Sequence, residues 1–266
     1  MKTELYYFTG TGNGLHVAKT IRRELEEAGK AVVLTPINQV NLGTSVSSQA
    51  DQVGIIFPTY AMTAPAIVKR LANQLTLQPG AQLFLYGHSG GGGAGRAINA
   101  LVSIFAKRNM TISHTYETVF PSNSAVRGYT PDQVKEVLAK SEVSIKEHAK
   151  SIRKEEVRPV PAPGFVKETT RKMTESLANF AEGLMGFKEI SANEACVGCG
   201  LCEKVCPQAN IQMEKGGPAF DTNCEMCAGC FNACPHKALK YKKMNEKNLI
   251  SYRHPQVDLK ELIRQQ

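Results

Sequence analysis

The sequence predicts an α/β domain with a doubly wound, parallel, five-stranded sheet, followed by a small α+β domain rich in cysteine. Apolar strand patterns alternate with helical patterns in the first half, a glycine-rich turn follows the first strand, and all eight cysteines lie between 196 and 234. A chain of 266 residues is long enough for both domains. The predicted divisions are a ligand-binding domain (1–156), a proline-rich linker and connecting helix (157–188), the cysteine-rich domain (189–243) and a C-terminal tail (244–266).

Five short apolar runs in the first domain fit buried parallel strands, and each is followed by a turn or a helical pattern. The predicted strands are 5–8, 31–34, 53–57, 83–86 and 116–120, and the predicted helices after the first are 65–75, 96–107 and 131–153. The last helix has a capping box, with Thr130 as N-cap, Pro131 in the first turn and Gln133 as its partner. In such a sheet, ligands bind at the carboxyl ends of the strands.

The turn after the first strand reads Thr9-Gly10-Thr11-Gly12-Asn13-Gly14 and precedes a helical pattern. Its backbone N–H groups and the hydroxyls of Thr9 and Thr11 can surround a phosphate, with the positive end of a helix dipole behind it. The spacing differs from the dinucleotide fingerprint, and the Gly-Lys-Ser/Thr ending of a Walker loop is absent. An ordinary turn of small residues is the structural alternative.

Two further strand ends carry unusual residues. Thr59, Tyr60 and Ala61 follow the third strand, and Gly87-His88-Ser89-Gly90-Gly91-Gly92-Gly93 follows the fourth. Tyr60 fits either an aromatic wall against a flat ligand or a rim residue that closes the core. For His88, a solvated loop histidine is the favoured interpretation. Four consecutive glycines cost backbone entropy, so we expect them to let the backbone approach a ligand closely.

The eight cysteines form two copies of one pattern. Cys196, Cys199, Cys202 and Cys206, followed by proline, are repeated 28 residues later as Cys224, Cys227, Cys230 and Cys234. Each run delivers three thiolates to one 4Fe-4S cluster and its fourth to the other. One predicted cluster therefore uses Cys196, Cys199, Cys202 and Cys234, and the other uses Cys224, Cys227, Cys230 and Cys206. Zinc sites use paired knuckles, and disulfides suit secreted mini-domains, so we disfavour both.

Together these motifs resemble a known family. The glycine-rich turn resembles the flavin mononucleotide (FMN) loop of flavodoxins, and residues 190–240 resemble bacterial two-cluster ferredoxins. Nearly the whole chain resembles the fused EFR-type ferredoxins, whose P-x-Y motif is matched by Pro58 and Tyr60. Their Met-Pro-x-Asn-Tyr segment is matched at Pro121 and Asn123, but Phe120 and Ser124 depart from it, so the last aromatic residue is not supplied.

The resemblance implies a flavodoxin-like first domain, one FMN and two 4Fe-4S clusters. The implied FMN-binding residues are Thr9, Gly10, Thr11, Gly12, Asn13, Gly14, Thr59, Tyr60, Ala61, Gly87, His88, Ser89, Gly90, Gly91 and Asn123. An apolar stripe through Met173, Leu177, Phe180, Leu184 and Phe187 predicts a helix that fastens the two domains together. Arg253-His254-Pro255 resembles the terminal segment of the family, and we expect this tail to pack across both domains.

These cofactors predict an electron carrier. A cluster passes one electron at a time and a flavin holds one or two, so the chain is expected to relay electrons between a ferredoxin-linked redox partner, its clusters and FMN. The alternative is a flavin-dependent reductase of a small acceptor, such as a quinone, a nitro compound or an unsaturated metabolite, with His88 and Tyr60 as candidate proton donors. We predict no catalytic residues. A redox sensor would need an output domain, and none is recognisable.

Charge and hydropathy narrow the partners and the location. The formal net charge of +8 falls to about +2 once cluster thiolates, iron and a flavin phosphate are counted. The sequence has no long Lys/Arg block, so we do not expect nucleic-acid binding. It has no export signal and no apolar stretch long enough to span a membrane, so we expect a cytoplasmic protein. Oxygen-sensitive clusters further favour an anaerobic setting.

Overall fold

The first domain contains a five-stranded parallel sheet. The computed structural model describes residues 1–39, 42–123, 129–164, 168–170, 172–173, 176–177, 189–241 and 252–263. The sheet strands are β1 (Lys2–Tyr7), β2 (Ala31–Pro36), β4 (Gln52–Pro58), β6 (Gln82–Ser89) and β7 (His114–Val119). In the sheet they lie in the order β2-β1-β4-β6-β7. Counted along the chain, this order is 2-1-3-4-5, which is the flavodoxin-like arrangement of a doubly wound sheet. The predicted fold class is confirmed.

Four helices cover the two faces of the sheet. They are α1 (Asn13–Glu27), α2 (Ala66–Gln74), α3 (Gly95–Lys107) and α4 (Pro131–Arg153). The helices α2 and α3 share one hydrophobic core, and α1 and α4 share the other. The capping box at Thr130 is present in full, with bonds in both directions between Thr130 and Gln133. A short parallel pair, β3 (Val46–Ser48) with β5 (Leu75–Leu77), was not predicted.

The cysteine-rich domain is built from two short two-stranded antiparallel sheets and two short helices. Antiparallel pairs join β8 (Ile190–Ala192) to β11 (Leu239–Tyr241) and β9 (Ile211–Glu214) to β10 (Gly217–Phe220). The helices α5 (Leu201–Lys204) and α6 (Gly229–Ala233) follow the cysteine loops. Its own small core contains Phe231 stacked on Tyr241, with ring centroids 4.3 Å apart. This confirms the predicted α+β character.

The C-terminal tail packs across both domains, as expected from the sequence. The Tyr252 backbone N–H donates to the Asn232 side chain in the cysteine-rich domain. The Tyr252 hydroxyl donates to Asn13 Oδ1 at 2.8 Å, and the His254 backbone N–H donates to the Thr11 carbonyl at 2.9 Å. The final helix, α7 (Leu259–Ile263), buries Leu262 in the core shared by α1 and α4.

The start of the connecting segment is hydrogen-bonded to the first domain, which the sequence did not predict. The Arg158 and Val160 N–H groups donate to the carbonyls of Ser113 and Ile112, so the start of the linker runs along the entry to β7. Of the predicted apolar stripe, Met173 is 69% exposed and Leu177 is 66% exposed. The expectation that these two side chains fasten the domains together is therefore wrong. The other three members of the stripe lie outside the described residues.

In the part of the chain that the structure describes, no helix is long and apolar enough to cross a membrane.

Side chains from the two neighbouring strands pack closely over Gly54 in β4. A Cβ at this position would lie 2.3 Å from the Phe84 ring and 2.8 Å from the Leu5 side chain. We expect Gly54→Ala to lower the free energy of unfolding by about 1–3 kcal/mol, because close-packed cores resist added volume. Gly95→Ala is the matched control, since nothing lies within 4 Å of its added Cβ. Equal denaturation midpoints for the two variants would contradict this close packing of Phe84 and Leu5 over Gly54.

Candidate functional site

The predicted phosphate loop joins β1 to α1 and is buried throughout. Gly12 has φ +100°, a left-handed conformation that favours glycine, and its N–H donates to Thr9 Oγ1 at 2.9 Å. Among the described residues no side chain caps α1, so its first N–H groups have no side-chain acceptor there. These features are those of an anion-binding turn at a helix N-terminus.

A cleft at the carboxyl ends of the central strands brings together most of the predicted FMN-binding residues. It is lined by Thr9, Gly10, Thr11, Asn13, Pro58, Thr59, Tyr60, His88, Ser89, Gly90, Pro121 and Asn123. These residues come from the ends of β1, β4, β6 and β7, the positions at which doubly wound sheets bind ligands. We call this space the loop cleft.

The structure places five of the predicted residues beside the lining of the loop cleft. A Cβ at Gly12 would meet the tail residues Val257 and His254, and one at Gly14 would lie 2.3 Å from the Phe8 carbonyl. Gly87 lies within β6 and packs against α3. Ala61 and Gly91 both have positive φ, in the loops after β4 and β6 respectively.

Three polar side chains of the loop cleft are buried without a hydrogen-bond partner in the part of the chain that the structure describes. They are Thr59 Oγ1, His88 Nε2 and Ser89 Oγ. Leaving such a group unpaired costs about 1–3 kcal/mol, so three together in one cleft indicate a polar ligand. The structure also corrects the sequence interpretation of His88, which is 5% exposed and belongs to β6. Burial lowers the pKa of His88 to about 3, so its ring is neutral.

Tyr60 closes the core, as one of its two interpretations predicted, and its contact with a flat ligand stays a prediction. It begins a tight turn closed by mutual backbone bonds with Thr63, with Ala61 and Met62 at positive φ. Its ring packs edge-on against Phe8 at 6.3 Å, so it closes the core, and it also lines the loop cleft. Burial, together with the nearby Cys227, raises the pKa of Tyr60 well above its usual value.

The eight cysteines converge as two groups of four. One cavity is lined by Cys206, Cys224, Cys227 and Cys230, and a second by Cys196, Cys199, Cys202 and Cys234. Each group takes three cysteines from one run and the fourth from the other, as the spacing predicts. No disulfide joins any of them. We call the first group the inner site and the second the outer site.

Backbone geometry prepares both groups for metal ligation. N–H groups of Asn210, Met226 and Ala238 donate to the sulfurs of Cys206, Cys224 and Cys234, each at 3.3 Å. Such bonds stabilise thiolates and tune cluster potentials. Burial raises the pKa values of Cys227 and Cys230, so without metal these thiols stay protonated. Cluster assembly at the inner site therefore couples to proton release.

The inner site is in van der Waals contact with the phosphate loop. A Cβ on Gly10 would lie 2.4 Å from the Cys227 carbonyl oxygen and 2.7 Å from its Cβ, and one on Gly229 would lie 2.9 Å from the Gly10 carbonyl oxygen. Asn123 bridges the same contact, donating to Thr11 Oγ1 at 3.3 Å and to the Cys227 carbonyl at 3.1 Å. Only glycine fits at either side of this contact.

A second link joins the two domains through Glu225, between two cysteines of the inner site. Its carboxylate accepts from the N–H groups of Ala66 and Ile67 at 2.8 and 2.7 Å, and so caps α2. The Gln208 amide donates to the same carboxylate at 2.7 Å. The sequence does not point to Glu225 as this cap. It indicates only that Pro65, at the N-cap position of α2, has no side chain that can cap the helix.

A cavity of about 580 Å³ opens between the two domains. Tyr60, Lys69 and Arg70 line it from the first domain, and Cys224, Glu225 and Asn223 line it from the second. It therefore borders both the inner site and the aromatic side chain of the loop cleft. We call it the interdomain cavity.

Comparisons with known proteins identify the cysteine-rich domain. Residues 187–239 match the family model of the 4Fe-4S dicluster domain, which confirms the prediction of two 4Fe-4S clusters. The assignment of individual cysteines to each cluster stays a prediction. A search of curated proteins finds none that matches the chain.

Solved structures resemble the first domain at low similarity. The azoreductase AzrA is 16% identical with a TM-score of 0.39, over 57% of this chain and 99% of that one. The Streptococcus pneumonia TIGR4 flavodoxin is 12% identical with a TM-score of 0.35, over 56% and 99%. The NAD(P)H:quinone oxidoreductase from Methanothermobacter marburgensis is 9% identical with a TM-score of 0.37, over 57% and 96%. These similarities are too low to indicate a shared ligand or reaction.

Single cysteine variants test the crossed assignment. We expect Cys206→Ser to destabilise the cluster held with Cys224, Cys227 and Cys230, and Cys234→Ser to destabilise the other, because each removes the ligand that the opposite run supplies. Iron and sulfide analysis with electron paramagnetic resonance of the reduced protein would show a different surviving cluster in each variant. Loss of the same signal in both variants would contradict the assignment.

Proposed function

We propose that this protein is an electron-transfer iron-sulfur flavoprotein that relays electrons between its two 4Fe-4S clusters and an FMN bound in the loop cleft. The contact between Gly10 and Cys227 carries this proposal, because it puts a predicted cluster ligand directly against the predicted phosphate loop. When bound, FMN would supply a centre that exchanges one or two electrons, whereas a cluster exchanges one at a time.

The residues of the loop cleft fit FMN chemically. Glycine N–H groups of the loop, the hydroxyls of Thr9 and Thr11 and the N-terminus of α1 suit a phosphate without any basic side chain. The unpartnered atoms of Thr59, His88 and Ser89 would bind the remaining polar groups of the cofactor. Tyr60 would supply an aromatic contact for the ring. The Cys227 loop and the tail residue His254 cover the phosphate loop and exclude water from it.

Exposure of the two cysteine sites supports an order for the relay. In the outer site, Cys199 is exposed and the neighbouring Val197 is 62% exposed. The inner site is covered by the first domain through Gly10 and Glu225. We therefore propose that a redox partner protein, such as a ferredoxin-linked donor or acceptor, meets the outer cluster, and that the inner cluster connects it to FMN. This relay would operate in the cytoplasm, where thiolates stay reduced.

The interdomain cavity favours a second candidate function, reduction of a small acceptor at the flavin. Its volume of about 580 Å³ is in the range of small-molecule sites, and Lys69 and Arg70 give it a basic wall. Glu225, the acidic residue in the lining, is engaged by the N-terminus of α2. A quinone, a nitro compound or an unsaturated carboxylate would suit this lining.

The relay is tested by the contact that supports it. Purified anaerobically, the protein is expected to contain iron and sulfide for two clusters and to release FMN on denaturation. In Gly10→Ala, the added Cβ would lie about 1 Å inside ordinary contact with Cys227, so the cluster loop must withdraw. We expect slower reduction of the flavin through the clusters, measured by stopped-flow absorbance at matched FMN content.

Gly95→Ala is the matched control for this experiment. It begins α3, and no described atom lies within 4 Å of its added Cβ. Unchanged rates in both variants would contradict the proposed electron path. Protein that contains both clusters but binds no FMN, even after reconstitution, would refute the flavin assignment itself.

Steady-state turnover distinguishes the reductase from the carrier. With a chemical electron donor and no protein partner, sustained reduction of a small quinone or nitro compound would support the enzyme. Asn223→Trp would fill the interdomain cavity, and we expect it to raise KM for the acceptor while internal flavin reduction keeps its rate. Turnover that is insensitive to this substitution would place acceptor reduction elsewhere, and absence of turnover would support the carrier alone.

A further inference from the structure

Two buried histidines stack behind the phosphate loop. His16 comes from the first turn of α1 and is 5% exposed, and His254 comes from the tail and is 1% exposed. Their rings are nearly parallel, at an interplanar angle of 18°, with centroids 3.9 Å apart. His254 Nδ1 accepts from the Gln256 N–H at 3.3 Å, which leaves its Nε2 as the uncommitted ring nitrogen.

Glu142 of α4 completes a cluster with this pair. Its Oε1 lies 2.5 Å from His16 Nε2, and the ligand atoms offered by His16, Glu142 and His254 all lie within 4.8 Å of one another. Glu142 is therefore the polar partner of His16 Nε2. His254 Nε2 is buried without a hydrogen-bond partner in the described part of the chain, which is costly unless another group satisfies it.

We infer that His16, Glu142 and His254 form a binding site for a divalent transition-metal ion such as Zn²⁺. Two imidazoles and one carboxylate are an established zinc donor set, and they leave a fourth position for water. An ion would satisfy His254 Nε2 and would replace the direct contact between His16 Nε2 and Glu142. The nearby cations on α1 are Lys19 and Arg23, and Lys19 is paired with Glu261 at 2.8 Å. The acidic Glu142 offsets part of the charge of the ion.

Binding requires a small rearrangement of the side chains. Ligand atoms at about 2.0–2.2 Å from a tetrahedral zinc lie about 3.3–3.5 Å from one another, so the present separations must close slightly. Stacked rings direct their nitrogens along parallel lines, so the two imidazoles would also have to splay apart. Ligation through His254 Nε2 also moves the proton of the neutral ring to Nδ1, so the hydrogen bond that Nδ1 accepts from the Gln256 N–H would be given up.

The site would join three segments that are distant in sequence. His16 belongs to α1, Glu142 to α4, and His254 to the tail whose N–H donates to the Thr11 carbonyl. A bound ion would therefore hold the tail across the phosphate loop. This role is independent of whether the loop binds FMN, since none of the three ligands is among the residues that line the loop cleft.

Zinc titration of the cluster-loaded holoprotein tests the site. After removal of loosely bound metal, we expect one Zn²⁺ per chain by elemental analysis. X-ray absorption at the zinc edge separates this site from cysteine, because Zn–N/O bonds of about 2.0–2.1 Å differ from Zn–S bonds of about 2.3 Å. A first shell of nitrogen and oxygen supports the inference. A shell that contains sulfur, or no stoichiometric binding, overturns it.

Conservative variants assign the ligands. We expect His254→Asn and Glu142→Gln each to weaken zinc binding by about 100-fold or more, since each removes a direct ligand and loss of outer-shell partners alone costs up to about that factor. His114→Asn is the matched control, because His114 lies in β7 and stacks on Tyr116 away from the cluster. Iron and sulfide content, measured on every variant, shows that the fold and clusters persist. Equal zinc affinity in all three variants would overturn the assignment.

A second readout follows the tail itself. Hydrogen exchange of the His254 amide, which donates to Thr11, is expected to slow when Zn²⁺ is added to the wild-type protein and to stay unchanged in Glu142→Gln. A variant that had merely unfolded the tail would exchange fast under both conditions and would also lose the Tyr252 contact to Asn13. Zinc binding without any change in exchange at His254 would overturn its role as a ligand.

Discussion

The arrangement of this protein depends on one close contact, between the backbone of Gly10 and that of Cys227. Neither domain could approach the other as closely if Gly10 carried a side chain. Gly229 meets the same requirement from the other side, against the Gly10 carbonyl. The two glycines therefore let the Cys227 loop cover the predicted phosphate loop. Asn123 links these two loops through its two donated hydrogen bonds.

The cysteine loop that makes this contact has an unfavourable backbone conformation of its own. Met226 and Ala228, on either side of Cys227, both have positive φ, a conformation that costs non-glycine residues of order 1 kcal/mol or more each. Burial also disfavours the thiolate form of Cys227, whose pKa it raises. A cluster offsets both costs, because metal bonds fix the loop and keep the sulfur deprotonated. The interface with the first domain should therefore be complete only when the inner site is loaded.

Local patterns in the sequence were sufficient to predict most elements. The strands, the capping box at Thr130 and the pairing of cysteine runs each depend on residues that are close in sequence or repeated at fixed spacing. The errors concern the extent of one strand and contacts between distant segments. His88 was expected in solvent because it was placed in a loop, yet β6 extends through it and buries it. Pro65 shows only that α2 lacks a local cap, not that the distant Glu225 supplies it. The exposed Met173 and Leu177 show that apolar periodicity alone does not establish burial.

Fusion of the two domains changes the kinetics of electron exchange more than its chemistry. Two separate carriers must meet by diffusion, and specific docking restricts typical association rates to about 10⁵–10⁷ M⁻¹s⁻¹. Here the contact is intramolecular, so its formation no longer depends on concentration. Three independent attachments maintain it: Gly10 against Cys227, the Glu225 cap on α2, and the tail that binds Asn232 on one side and Asn13 on the other. Because these attachments surround the inner site, the outer site is the one left accessible, and exchange with any partner protein is expected to be limited by docking there.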